Sequence, residues 1–154
     1  LWTITNMMRW VNTIGAAPGT RVVGIGAPTP LHITNRAFAE LQAGRSDAPR
    51  LSVLTPMPEL VARLNDYQPQ VLLAYANVLE ILAREALAGR LRLGGLQQVM
   101  NMSEPLSPGA RRLIGKAFGL PVTNNYASGE CMALSLGCRQ GHTAPGVGVL
   151  LQQP

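Results

Sequence analysis

A repeated alternation of short apolar runs with longer amphipathic segments constrains the fold of this chain most strongly. Strands separated by helices of about ten residues form parallel βαβ units, whose sheets carry helices on both faces. We therefore expect an α/β fold, a doubly wound and mostly parallel sheet with helices on both faces. The predicted strands are 22–25, 51–54, 71–73, 99–100, 121–125 and 147–151, and the predicted helices include 2–14 and 35–41.

Capping and turn residues mark where individual elements should begin and end. Ser107 followed by Pro108 is an N-cap with proline at the first helical position, and Gly119 ends that helix. Thr55, with the prolines at 56 and 58, opens another helix. Apolar side chains spaced three or four apart give the helices their core faces, namely Leu60, Val61 and Leu64, then Val78, Leu79, Leu82, Ala86 and Leu87, then Leu113, Ile114, Ala117 and Phe118.

Length and charge content indicate a single domain taken from a larger protein. A chain of 154 residues suffices for one compact core. It begins at Leu1 inside an amphipathic pattern and ends at Pro154 just after an apolar run, so we expect an excerpt. Only 14% of its residues are charged, well below the usual quarter, which predicts a partly covered surface. The expected covering partners are the missing parts of the parent protein or a second copy of the chain, a homo-oligomer.

The composition also disfavours several classes of function. No apolar run approaches the roughly 20 residues of a membrane-spanning helix, and no signal peptide is recognisable, so we expect a cytoplasmic protein without a membrane partner. The net charge of +5 comes from scattered arginines that are not interleaved with aromatic residues. Nucleic-acid binding requires a clustered basic face, so an anionic small molecule is the better-supported partner.

In a parallel sheet, ligands bind beyond the carboxyl ends of the strands. Gly24 and Gly26 follow the first strand, but Pro28 and Pro30 occupy the place where a helix should meet a dinucleotide, and a third glycine is absent. A nicotinamide site is therefore disfavoured. The same proline-rich loop carries His32, which either has a structural role or lines a substrate pocket.

Two polar segments follow the strands predicted at 99–100 and 121–125, at what should be one sheet edge. In the first, residues 101–108, Ser103 and Glu104 are not needed for the helix cap. In the second, residues 124–131, the ring of Tyr126 precedes three small residues and the carboxylate of Glu130. Tyr126 alone would suit a core position. The order of an aromatic residue, three small residues and an acid favours a ligand site. In such a site the ring stacks on the ligand, the backbone lets the ligand approach closely, and the carboxylate binds Mg²⁺.

Cys131, Cys138 and His142 are spaced Cys-x₆-Cys-x₃-His. One interpretation is that two thiolates and an imidazole bind Zn²⁺, although no fourth ligand is apparent. The other interpretation is that one of the two thiols is buried and that the remaining two residues have no common role. A disulfide is disfavoured because nothing marks the chain as secreted.

Residues 126–130, Tyr-Ala-Ser-Gly-Glu, resemble the Tyr-Gly-x-Thr-Glu signature of adenylate-forming enzymes. Residues 103–107, Ser-Glu-Pro-Leu-Ser, and 117–122, Ala-Phe-Gly-Leu-Pro-Val, resemble the stretch that leads into this signature in phenylacetate-CoA ligases. The resemblance extends back to residues 67–75 and forward to Cys138 and His142. It covers most of the chain.

The resemblance implies a ligase that uses ATP and Mg²⁺ to convert a carboxylic acid into an acyl-adenylate, with AMP bound beside the acid. Coenzyme A is the implied acceptor. By position, the nucleotide-binding residues are Ser103, Glu104, Pro105, Asn125, Tyr126, Ala127, Ser128 and Gly129. The resemblance also implies that Glu130 is the catalytic Mg²⁺ ligand and that His32 and Tyr75 line the acyl pocket.

Two departures from the family pattern stand out. Gly129 occupies the position of the threonine that contacts the α-phosphate or the metal. The family's phosphate loop should precede Leu1, and its lid domain and catalytic lysine should follow Pro154. Lys116, the only lysine, lies on a predicted surface helix and does not replace it. We therefore expect the central part of an AMP-binding N-terminal domain that is inactive in isolation.

Two alternatives remain beside a coenzyme A ligase. Gly129 favours a non-catalytic or degenerate AMP-binding-like module. An adenylating enzyme that loads a carrier protein would contain the same segment.

Overall fold

Five parallel strands form the centre of the structure. The computed structural model describes residues 19–29, 49, 51–126, 135–137 and 143–145. Every neighbouring pair among the five is parallel, and their spatial order is β2-β1-β3-β4-β5. This is a common doubly wound order, so the predicted α/β fold with a mostly parallel sheet is confirmed. The strands are β1 (Val22–Gly26), β2 (Leu51–Ser52), β3 (Val71–Ala74), β4 (Gln98–Met102) and β5 (Val122–Tyr126).

Two short antiparallel strands extend the sheet beyond β5. β6 (Ser135–Gly137) pairs with β5, and β7 (Thr143–Pro145) pairs with β6. The sequence did not predict them, because three-residue strands containing glycine or proline lack an apolar alternation. The predicted strand at 147–151 and the predicted helices at 2–14 and 35–41 lie outside the described residues.

Among the described residues, three helices connect the parallel strands: α1 (Met57–Tyr67), α2 (Ala76–Leu87) and α3 (Pro108–Phe118). The predicted ends of α3 are confirmed, since the Ser107 side chain accepts a hydrogen bond from the Ala110 amide at 3.0 Å and Gly119 adopts a left-handed φ of 67°. In the part of the chain that the structure describes, no helix is long and apolar enough to cross a membrane.

All three helices pack on one face of the sheet. Side chains alternate between the two faces of a sheet along each strand. On the face that carries the helices, the strand residues Val23, Leu72 and Val99 belong to one core. The helix residues of that core include Leu64, Leu79 and Ile114. The opposite face of the strands is also buried, with Leu73 and Met100 at most 1% exposed. β3 and β4 therefore have no face turned to solvent.

The sequence prediction was wrong in detail at the end of the second strand and at the end of α2. The second strand ends at Ser52 and not at residue 54, because the Ser52 and Thr55 side chains bond to backbone amides and form a turn. Leu54 in that turn is 75% exposed. Leu87, predicted to face the core, is exposed at the end of α2, and Ala76 and Ala83 are buried on that helix.

Candidate functional site

The carboxyl ends of β1, β3, β4 and β5 meet at one edge of the sheet and bring together polar residues that are far apart in sequence. The chain leaves β1 toward β2 on one side, and it leaves β3 toward β4 on the other. The gap between β1 and β3 is therefore the topological switch point, where doubly wound folds bind ligands. β4 and β5 continue the same edge.

Tyr75 lies at the switch point. It follows β3 directly and is the N-cap residue of α2. Its hydroxyl oxygen accepts a hydrogen bond from the Ala27 amide, just after β1, at 3.2 Å. The half-buried Tyr75 side chain thus joins the ends of the two strands that flank the gap.

Asn101 is a fully buried amide in an otherwise apolar stretch of β4. Its Nδ2 donates to the backbone oxygen of Glu104 at 2.7 Å and to the side-chain oxygen of Asn124, on β5, at 2.7 Å. Among the described residues, no donor reaches its Oδ1 atom. Leaving a buried acceptor unpaired costs about 1–3 kcal/mol, so this position is retained at some expense in stability.

The Glu104 side chain turns back toward α2. Its Oε2 atom accepts a hydrogen bond from the Asn77 amide, in the first turn of α2, at 3.0 Å. The first amides of a helix have no partner within the helix, and the helix dipole favours a negative charge there. Tyr75 makes no side-chain capping bond, so Glu104 supplies the cap from 27 residues away.

Between Asn101 and Glu104 the backbone adopts an unusual conformation. Ser103 has a φ of 62°, in the left-handed region. Such a conformation costs a non-glycine residue about 1–3 kcal/mol and persists where the surroundings fix it. Ser103 and Pro105 are exposed, and the loop follows β4 at the edge where β5 also ends.

The end of β5 lies beside this loop. Asn125 pairs in register with Met102, so Tyr126 and Ser103 are the next positions along adjacent parallel strands. Asn125 is 7% exposed. The backbone of Tyr126 ends β5 and pairs with Ser135. The prediction that these two segments share one sheet edge is therefore confirmed for the backbone of residues 101–108 and 124–126.

Several sequence-predicted site residues lie outside the described residues. They are His32, Ala127, Ser128, Gly129, Glu130, Cys131, Cys138 and His142. Within the described ranges, no three His, Cys, Asp or Glu side chains cluster as a metal site would require. The Mg²⁺ and Zn²⁺ assignments stay predictions.

At the opposite end of α2, Glu85 and Arg90 form a bidentate pair with distances of 2.5 and 3.0 Å. The hydrogen bonds from Arg90, aided by its positive charge, hold the pKa of the Glu85 carboxyl below its ordinary value. Because Glu85 lies ten residues after the N-cap residue Tyr75, this pair is about 15 Å from the capped end, at about 1.5 Å per residue. It stabilises the turn after α2 and does not contact the polar edge.

Sequence reasoning missed the bonds that organise this edge. The contact between Asn77 and Glu104 spans 27 residues, and that between Asn101 and Asn124 spans 23. A signal for Asn101 was present, since a lone amide among Val99, Met100 and Met102 should need buried partners. The sequence held no comparable signal for Asn77.

The sequence matches no protein-family model and no curated protein. Its fold, in contrast, matches solved structures of ligases. One is a 2-hydroxyisobutyryl-CoA ligase in complex with 2-HIB-AMP and CoA, with a TM-score of 0.66 and 20% identity over 89% of this chain and 32% of that one. Another is a long-chain-fatty-acid-CoA ligase from Archaeoglobus fulgidus, with a TM-score of 0.68 and 12% identity over 86% of this chain and 28% of the ligase.

A third match is an amide bond synthetase from Marinactinospora thermotolerans, with a TM-score of 0.65 and 17% identity over 90% of this chain and 28% of the synthetase. The chain thus spans about a third or less of the length of these proteins. At these identities the matches establish a common fold.

Proposed function

We propose that this chain is the central part of the AMP-binding N-terminal domain of an adenylate-forming ligase, which activates a carboxylic acid with ATP. The observation that carries the proposal is the juxtaposition of the left-handed loop at Ser103 with the end of β5 at Tyr126. A solved protein that shares this fold is in complex with 2-HIB-AMP and CoA, which supports the binding of a nucleotide and an acid.

On the nucleotide side, we assign the base to the space between the Ser103–Pro105 loop and Tyr126. An aromatic ring on one side and an exposed backbone loop on the other suit a planar base. Asn125 and the small residues 127–129 complete this side in the proposal. Glu130 offers the hard carboxylate oxygens that Mg²⁺ prefers, and the ion would neutralise phosphate charge there.

On the acid side, we assign the switch point, where Tyr75 joins the ends of β3 and β1. The Tyr75 oxygen accepts from Ala27, so its own proton remains available to a polar group of a ligand. His32 belongs to the loop that continues from β1 and is assigned to the same pocket.

In the proposed reaction, a carboxylate oxygen of the acid attacks the α-phosphorus of ATP. The new O–P bond gives an acyl-adenylate, and the bond to the β-phosphate oxygen breaks to release pyrophosphate. The thiolate of coenzyme A then attacks the acyl carbon and releases AMP. Holding the two substrates at neighbouring strand ends supplies proximity, which is a large part of such catalysis.

Titration of the isotopically labelled chain with AMP, followed by amide chemical shifts, tests the assignment. We expect weak binding, on the order of millimolar, with perturbations at Ser103 and at the end of β5. Perturbations centred on Gly24 and Gly26 with Ser103 and Tyr126 silent, or no perturbation at all, would contradict it.

A non-catalytic module of the same origin is the second candidate, favoured by Gly129 in place of the family's threonine. Replacing Gly129 with Thr distinguishes the two. A gain in Mg²⁺-dependent ATP binding would indicate a site that only lacks this hydroxyl, whereas no gain would favour a module that has lost nucleotide binding.

A further inference from the structure

We propose that Glu104 is a positioning residue of the nucleotide site, and that it holds the Ser103 backbone in its left-handed conformation through the first turn of α2. This inference rests on the proposed function, because it concerns the wall assigned to the base. It gives the Glu104 carboxylate a role other than direct contact with the nucleotide.

The argument begins with how Glu104 is held. Its side chain accepts the Asn77 amide at 3.0 Å, and its backbone oxygen accepts Asn101 Nδ2 at 2.7 Å. The two donors belong to different elements, α2 and β4. Both parts of Glu104 are therefore held, its backbone by β4 and its side chain by α2.

Ser103 immediately precedes this doubly held residue and follows the last residue of β4. With both of its neighbours fixed, Ser103 must span them, and the structure does so with a φ of 62°. A serine has no intrinsic preference for that region, whereas glycine enters it freely. The conformation of the loop thus depends on the two bonds to Glu104.

The charge of Glu104 supports the same role. A free carboxylate beside phosphates would repel them. Here the carboxylate faces the positive end of α2, where negative charge is favourable. Tyr75 is the N-cap residue of the same helix, so Glu104 joins the acid side of the site to its nucleotide side.

The test compares Glu104→Ala, Glu104→Gln, Ser103→Gly and the double variant Ser103→Gly/Glu104→Ala. Glu80→Ala is a matched control, since Glu80 is an α2 carboxylate that pairs with Arg84 on the same helix. For AMP affinity we expect a loss of about tenfold in Glu104→Ala and within about twofold of the parent in Glu104→Gln, whose amide oxygen still accepts Asn77.

The double variant should regain most of the affinity that Glu104→Ala loses, because glycine adopts the left-handed conformation without support. If Glu104 contacted the nucleotide directly, glycine at 103 would restore nothing. No regain of affinity in the double variant relative to the Glu104→Ala single variant would overturn the proposal.

A second measurement needs no ligand. In the free protein, backbone carbon shifts should report a left-handed Ser103 in the parent, in Glu104→Gln and in Glu80→Ala, and its loss in Glu104→Ala, together with a shift of the Asn77 amide. A left-handed Ser103 that persists in Glu104→Ala refutes the positioning role. Absence of AMP binding by the parent chain would refute only the proposed function.

Discussion

Asn101 and Asn124 form a 2.7 Å hydrogen bond between the buried sides of β4 and β5, and the same Asn101 amide holds the Glu104 carbonyl at 2.7 Å. One side chain therefore connects the loop after β4 to the strand that ends at Tyr126. The spacing of the two walls assigned to the base depends on this amide.

Replacement of Asn101 should reduce stability through the loss of both bonds. We expect Asn101→Ala to lower the free energy of unfolding by about 1–3 kcal/mol, because Glu104 and Asn124 lose their donor. Asn101→Asp should cost more at neutral pH, since a buried carboxylate would face two oxygens, and should recover on acidification. Urea unfolding at neutral and at acidic pH measures these free energies of unfolding. Asn124→Ala, which removes one bond, is the comparison, and an Asp variant as stable as the Ala variant at pH 7 would be inconsistent with the observed hydrogen bonds.

Tyr126→Ala should weaken AMP binding about five- to a hundredfold, because stacking of a base on an aromatic ring is worth about 1–3 kcal/mol. Tyr126→Phe keeps the ring and should bind within about twofold of the parent. Calorimetry or shift titration provides the affinities. Equal binding by the Ala and Phe variants would remove Tyr126 from the nucleotide site.

The isolated 154-residue chain should catalyse no measurable ATP-pyrophosphate exchange with phenylacetate or other aryl acids. Adenylation depends on positioning and on neutralising phosphate charge, and residues 1–154 contain neither the phosphate loop nor the catalytic lysine that the proposed function requires. Radiolabelled exchange against a control without protein is the measurement. Exchange above that control that disappears in Glu130→Ala would show that this prediction is wrong.

We expect protein purified without a histidine tag to contain less than about one-tenth equivalent of zinc, unchanged by Cys138→Ser, because Cys131, Cys138 and His142 lack an apparent fourth ligand. Elemental analysis of the purified protein measures this zinc content. About one equivalent, reduced by Cys138→Ser, would instead establish the zinc site.

The Glu85–Arg90 pair predicts a pH-dependent contribution to stability. The folded pKa of Glu85 lies below its ordinary value, so the stabilisation is fully present above the unfolded pKa and is lost as pH falls through the folded pKa. Glu85→Gln should therefore lower Tm slightly at about pH 7 and not at about pH 2, below the ordinary glutamate pKa of about 4.3. Glu59→Gln, which removes the exposed pair of α1 with Arg63, is the matched control. A difference in Tm between Glu85→Gln and the parent chain that grows on acidification would contradict the predicted direction of this effect.

Local signals made α3 predictable, and long-range contacts made the site unpredictable. Ser107, Pro108 and Gly119 act within a few residues of their own positions, so the sequence alone determined both ends of that helix. In contrast, the Glu104 side chain reaches the Asn77 amide only because β3 and β4 are neighbours in the sheet. Such a pairing depends on strand order, which a sequence pattern constrains and does not specify residue by residue.

The burial of both faces of β4 has a consequence for how its partner strand is aligned. When one face of a strand is polar, a slip of one residue exposes apolar side chains and is penalised strongly, but strands buried on both faces lose this safeguard. Asn101 and Asn124 restore it, since they face each other only in the observed alignment. A slip of β5 by one residue would turn the Asn124 amide to the opposite side of the sheet, place Thr123 or Asn125 opposite Asn101, and break the observed hydrogen bond. The hydrogen bond between these two amides therefore favours the observed alignment of β4 with β5.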